Sequence, residues 1–154
     1  TRSSNVTGVQ TCALPILVSV VSIQRDMDGK EVKSELVSAG KYYEKHGVRY
    51  FVYKESEITG MEGVTTVIKL QTDGTLILLR LGKIRQKQEY AVGKVKKSLY
   101  ETPFGDIEVS MKTYEIKVDM VDGIGRIYLA YDVLLGELTS TYNQLFMEIR
   151  EDRA

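Results

Sequence analysis

Residues 107–150, IEVSMKTYEIKVDMVDGIGRIYLAYDVLLGELTSTYNQLFMEIR, decide the fold class. Side-chain character alternates with period two through three consecutive runs. Ile107, Val109, Met111 and Thr113 fall on one face of the first run, and Glu108, Ser110, Lys112 and Tyr114 on the other. In the second, Ile127, Leu129, Tyr131, Val133 and Leu135 oppose Arg126, Tyr128, Ala130 and Asp132. In the third, Thr141, Asn143, Leu145, Met147 and Ile149 oppose Ser140, Tyr142, Gln144, Phe146, Glu148 and Arg150. Successive side chains of a strand point to opposite sheet faces, so this period marks half-buried antiparallel strands. Asp122-Gly123 separates the first two runs, and an Asp-Gly pair suits a tight hairpin whose central residues need positive φ.

The same punctuation extends upstream. Asp28-Gly29 and Asp73-Gly74 are further Asp-Gly pairs, and His46-Gly47, Gly82-Lys83, Gly93-Lys94 and Gly136-Glu137 are turns of the same size. The intervening runs are rich in Val, Ile, Thr and Tyr, which fit a pleated surface better than a helix. They predict ten strands: 17–25, 32–44 with a kink at Gly40, 48–57, 64–71, 75–81, 84–92, 95–100, 107–121, 124–134 and 138–150. Short connections make sequence neighbours spatial neighbours, giving an up-and-down meander. A meander this long closes on itself or leaves two aggregation-prone edges. The expected fold is therefore a single all-β, antiparallel barrel of eight to ten strands, wide enough for side chains or one small ligand. A membrane-spanning barrel is disfavoured, because Glu108, Lys112, Asp132 and Glu148 would face lipid.

Composition agrees. The chain has 154 residues, with 21 basic and 21 acidic side chains, one His, one Cys and no Trp. Balanced charge removes bulk attraction to nucleic acid or membrane as a default role. One Cys excludes an internal disulfide, and one His excludes a multi-histidine metal site.

Residues 1–16 (TRSSNVTGVQTCALPI) stand apart, without period or turn logic. Residues 6–16 resemble the conceptual translation of a short-read sequencing adapter, so 1–16 is expected to be non-native and outside the fold, with a single barrel domain at 17–154. Arg2 followed by residues 13–18 fits a signal peptide poorly, since Pro15 and Ser19 interrupt the apolar core and no small-residue cleavage site follows. Asn5-Val6-Thr7 matches the glycosylation sequon, a pattern common by chance. Setting this segment aside removes Arg2, Cys12 and Pro15 and leaves 20 basic against 21 acidic residues. A cysteine-free domain suits a reducing compartment, and the expected location is the cytoplasm.

Three stretches carry a family resemblance: Tyr53-Lys54-Glu55-Ser56-Glu57 with Gly60-Met61-Glu62-Gly63-Val64-Thr65-Thr66; Arg80-Leu81-Gly82; and Tyr100-Glu101-Thr102-Pro103-Phe104-Gly105. With them, residues 17–151 resemble the YwiB-like family of uncharacterised bacterial proteins. The resemblance implies a calycin-like, lipocalin-type barrel found mostly in Gram-positive bacteria. It implies no activity and supplies no catalytic residues, and a lipocalin-type fold does not by itself fix a lipocalin-type role.

The inward registers are not wholly apolar. If Phe51 points inward, so do Tyr53, Glu55 and Glu57, while Leu76 and Leu78 bring Arg80 to the same side. Thr113, Tyr131, Thr141 and Asn143 occupy other inward registers. Buried polar groups need hydrogen bonds and buried charges need partners. One reading is a satisfied network closing the barrel end, with Arg80 held by Glu55. The other is a ligand site formed by Tyr53, Glu55, Arg80, Tyr131 and Asn143, in which the guanidinium binds a carboxylate or phosphate. Glu55 and Glu57 are weak candidates for paired-carboxylate catalysis. His46 in its polar hairpin reads as a turn residue, and Cys12, the sole thiol, lies in the foreign segment. Gly60-Met61-Glu62-Gly63 and Gly123-Ile124-Gly125 precede no helix and do not read as phosphate loops. No catalytic residue, metal site or cofactor is assigned, and an enzyme is not expected.

Charge is uneven locally. Lys83, Arg85, Lys87, Lys94, Lys96 and Lys97 follow Arg80 with only Glu89 among them. Lys and Arg commonly protect a solvated strand edge. The alternative function is a protein or RNA interaction module using this edge, with Tyr90 and Tyr100 for stacking. Against nucleic acid, alternation separates Arg85 and Lys87 from Gln86 and Gln88, and no nucleic-acid motif is present. In Thr102-Pro103-Phe104-Gly105, proline fixes φ and glycine permits reversal, giving a rigid turn whose Phe104 is a plug or an exposed contact, with a cap on a barrel end the favoured reading.

Overall fold

A computed structural model of the protein describes residues 13–55, 62–82, 85–135 and 139–153. These hold ten strands and no helix: β1 (Leu14–Arg25), β2 (Glu31–Lys45), β3 (Val48–Lys54), β4 (Thr65–Leu70), β5 (Leu76–Leu81), β6 (Arg85–Tyr90), β7 (Val95–Thr102), β8 (Gly105–Val121), β9 (Ile124–Leu135) and β10 (Thr139–Glu151). Each strand pairs antiparallel with the next, and β1 pairs with β10 to close the barrel. All ten expected strands are present, with ends displaced by a few residues. The largest addition is at β1, which starts at Leu14: Pro15 opposes Lys41, and Ile16 opposes Gly40 and Glu151 and is fully buried. Residues 14–16 therefore belong to the sheet, correcting the boundary expected at residue 17. Residues 1–12, Glu57, Lys83 and the Gly136-Glu137 turn lie outside the described residues.

The turns divide into two kinds. His46-Gly47 and Asp122-Gly123 have positive φ at both residues (53° and 80°, 53° and 83°), as a tight two-residue hairpin of twist-matched hand requires. At Asp28-Gly29 and Asp73-Gly74 only the glycine is positive, at 82° and 90°. There Gly29 N donates to Asp26 O and Gly74 N to Gln71 O, and Asp26 Oδ1 accepts from the amides of Asp28 and Lys30. These are longer loops ending in a left-handed glycine, not the two-residue turn the dipeptide suggests. Gly40 in β2 serves a different need, close approach: a Cβ there would sit 2.3 Å from the Val52 carbonyl oxygen.

Inward alternation builds the core. Ile16, Val18, Phe51, Ile68, Leu76, Ile127, Leu129, Met147 and Ile149 are buried to within 2% and share one cluster. β8 departs from the expected strict period. Val109, Met111 and Thr113 face inward, a bulge between Thr113 and Glu115 shifts the register, and beyond it Ile116 and Met120 pack on the core. A bulge places two residues opposite one and thereby swaps the face on which odd and even positions lie.

Candidate functional site

On the inward faces of five strands the apolar residues gather toward one end. β1 runs from Ile16 and Val18 to Ser22 and Gln24, β3 from Phe51 to Tyr53, β4 from Leu70 and Ile68 to Thr66, β5 from Leu76 to Arg80, and β10 from Ile149 to Asn143. The antiparallel register brings these polar termini together. One inner cross-strand row reads Gly40, Tyr53, Thr66, Arg80, Gln86 and Tyr100, each directly opposite the next from β2 to β7.

Beside this row lies a cavity of about 220 Å³. Tyr53, Glu55, Arg80, Tyr131 and Asn143, the five interior residues picked out in the sequence, all line it. Ser22, Gln24, Ser34 and Gln144 add polar groups, and Val20, Leu36, Leu78 and Leu145 add apolar ones. Tyr53 and Glu55 are buried, whereas Arg80, Tyr131 and Asn143 are partly open.

The expected Arg80–Glu55 ion pair is not formed. Among the described residues no carboxylate lies within ion-pair distance of Arg80; Glu55 Oε2 accepts from Thr66 Oγ1 at 2.5 Å, and Arg80 Nη1 donates to Gln86 Oε1 at 3.1 Å. The sheet supplies the reason. β4 separates β3 from β5, so two inter-strand spacings, roughly 10 Å, lie between their backbones, and Thr66 and Gln86 stand nearer to each charge. Arg80 Nε is sealed from solvent without a hydrogen-bond partner, as is Thr113 Oγ1.

Electrostatics follow burial. The Tyr53 hydroxyl is held well above the ordinary phenol range by desolvation, with Glu55 adding to the rise and Arg80 opposing it. Both charges thus act on one phenol. Burial also raises Tyr90 and Tyr131, and the Arg80 charge counters part of each rise. Their rings meet at 4.7 Å and 62°, and Tyr90 Oη donates to Gln88 Oε1 at 2.6 Å. Asn143 Nδ2 donates to the Thr141 carbonyl and Oγ1, both at 3.1 Å, which orients its amide.

Thr66, Gln86 and Gln88 are buried polar members of this cluster that sequence reasoning left out. The Gln86-x-Gln88-x-Tyr90 alternation was the available signal for the two glutamines.

The basic edge is only partly assembled. Arg85, Lys87 and Lys97 line an exterior groove of about 370 Å³ between β6 and β7, but Glu89 and Glu101 line it too. Lys96 falls on the opposite face, opposing buried Met111, and Lys94 lies in the turn before β7. Tyr90 is fully buried, so the expected stacking role is corrected: alternation from Arg85 sends it into the core. Phe104 is 98% exposed at the β7–β8 turn and does not cap the barrel as expected, because that hairpin reaches past the apolar core.

The profile of a domain of unknown function, DUF1934, matches residues 18–147. The chain belongs to the DUF1934 family. A relative, the uncharacterized beta-barrel protein YwiB of Bacillus subtilis (strain 168), is 31% identical over 123 residues, covering 80% of this chain and 84% of YwiB. The crystal structure of the ywiB protein from Bacillus subtilis superposes with a TM-score of 0.78 at 27% identity, over 92% of this chain and 96% of that one. DUF1934 membership and this match agree with the closed barrel described above.

Proposed function

We propose that the protein binds a small polar molecule bearing an anionic group inside its barrel, without transforming it, and that Arg80 is the anchor. One observation carries this reading: a guanidinium on the inner wall has no carboxylate partner among the described residues and borders a cavity of about 220 Å³. A buried cation normally has a partner, and a planar five-donor fork suits a carboxylate or phosphate. A cavity of about 220 Å³ suits a small molecule. Tyr53, Tyr131 and Asn143 supply orienting polar groups around it. The closed ten-strand barrel supports an interior site, since closed antiparallel barrels of similar width can enclose one small ligand.

Among the described residues no three His, Cys, Asp or Glu side chains gather in a cluster that could hold a metal ion. Among the described residues no helix is long and apolar enough to cross a membrane, and outward Glu108, Lys112, Arg126 and Glu148 make the barrel exterior charged. That exterior supports an aqueous setting, which we read as the cytoplasm.

Thermal-shift titration with short carboxylates and inorganic phosphate tests the reading. Stabilisation is expected for the wild type and lost in Arg80→Met; equal responses of the two proteins would overturn it. The groove lined by Arg85, Lys87 and Lys97 gives a second reading, an anionic partner on the exterior, which elution from a polyanion column at the lowest salt would remove.

A further inference from the structure

The cavity holds two charges of opposite sign that do not neutralise each other. Arg80 and Glu55 both line it, and each is engaged by a neutral neighbour, Gln86 and Thr66. Glu55 is 8% exposed, and among the described residues only Thr66 Oγ1 donates to its carboxyl group. A third ionisable lining residue, Glu35, is different: Lys33 lies 3.2 Å from its carboxylate and both side chains are more than half exposed.

A plain anion bound at Arg80 would leave the Glu55 carboxyl without a cation and would be repelled by it. A plain cation at Glu55 would meet the guanidinium in the same way. A molecule carrying both charges satisfies both walls. Resting on the reading that Arg80 anchors an anionic group in this cavity, we infer that the ligand is a small zwitterion, its carboxylate on Arg80 and its ammonium on Glu55, in the size range of an amino acid. The apolar strip of Val20, Leu36, Leu78 and Leu145 then contacts the carbon skeleton between the charges.

Isothermal titration of the full chain with three matched series tests this: unbranched ω-amino acids from glycine to 6-aminohexanoate, the corresponding simple carboxylates, and the ω-hydroxy acids, which keep size and polarity but lose the ammonium. One amino-acid length is expected to bind about tenfold or more tightly than its carboxylate and hydroxy counterparts, the value of a charge-assisted hydrogen bond. Glu55→Gln is expected to remove that advantage while leaving carboxylate binding in place, and Glu148→Gln, on the barrel exterior, to leave every affinity unchanged. Because the wild-type series alone reads the ammonium preference, the test survives a poorly folded Glu55 variant. Equal binding of amino acids and carboxylates, both lost in Arg80→Met, would overturn the zwitterion and retain the anion site. Absence of heat with every compound would overturn both.

Discussion

At one end of the barrel Ile16, Val18, Phe51, Ile68, Leu76, Ile127, Met147 and Ile149 meet with essentially no exposure. Tyr42 closes that end, packing on Phe51 at 5.0 Å under the Asp122-Gly123 turn. At the other end strands β1, β3, β5, β9 and β10 present Ser22, Tyr53, Arg80, Tyr131 and Asn143 around open volume. The same antiparallel strands run through both ends, and their inward residues change along them from apolar to polar. A closed sheet guarantees neither a packed interior nor a hollow one. The apolar end provides folding free energy, and the polar end carries unneutralised charge that only a rigid opposite end can hold apart.

Substitution separates the two ends most sharply. Phe51→Ala and Leu129→Ala remove fully buried side chains from the apolar end and are expected to cost about 3–5 and 2–5 kcal/mol respectively, measured by urea unfolding. Arg80→Met is expected to leave stability within about 1 kcal/mol or raise it, because it removes a desolvated charge whose Nε has no partner. A loss at Arg80→Met as large as that at Phe51→Ala would mean that the polar end is structural and the contrast false.

Gly125 offers a check on the sheet that joins both ends. Its φ is +148°, and a Cβ would lie 2.0 Å from the Asp119 carbonyl oxygen. Gly125→Ala is expected to destabilise by roughly 1–3 kcal/mol, seen as a lower urea midpoint with unchanged slope.

Alkali should act on the polar end through Tyr53, Tyr90 and Tyr131, whose acidities are all suppressed in the fold. Their folded pKa values exceed the unfolded value near 10, so the stability they contribute is whole below pH 10 and is lost as pH rises beyond it. Tyrosinate absorbance above that pH should lag behind the ten tyrosines present and catch up only on unfolding. Full ionisation of a folded protein near pH 10 would refute the burial of these phenols. The smallest effect is expected at the exterior groove, where charge reversal at Lys87 and Lys97 should change stability by no more than about 0.5 kcal/mol.

Much of this contrast was legible in the sequence. Period-two alternation and short turns gave all ten strands, and stepping two positions from Phe51, Leu78 and Leu145 led to Tyr53, Arg80 and Asn143. The β8 bulge was not foreseen, although inward apolar positions jump from odd (Val109, Met111) to even (Ile116, Met120) across Tyr114. Side-chain pairing was also beyond the pattern. Periodicity reports which face a residue occupies but not its lateral distance across strands, so Glu55 and Arg80 shared a face without sharing an ion pair. Counting charge along the chain likewise exaggerated the basic edge, since Lys96 and Lys97 point to opposite faces.

Native mass spectrometry of the wild type and Arg80→Met, each titrated with the amino-acid series and compared with its denatured mass, tests the central claim most directly. The wild type should retain one small molecule per chain at saturation and Arg80→Met none. Equal retention by both proteins, or by neither, would contradict a binding site anchored on Arg80 inside the barrel.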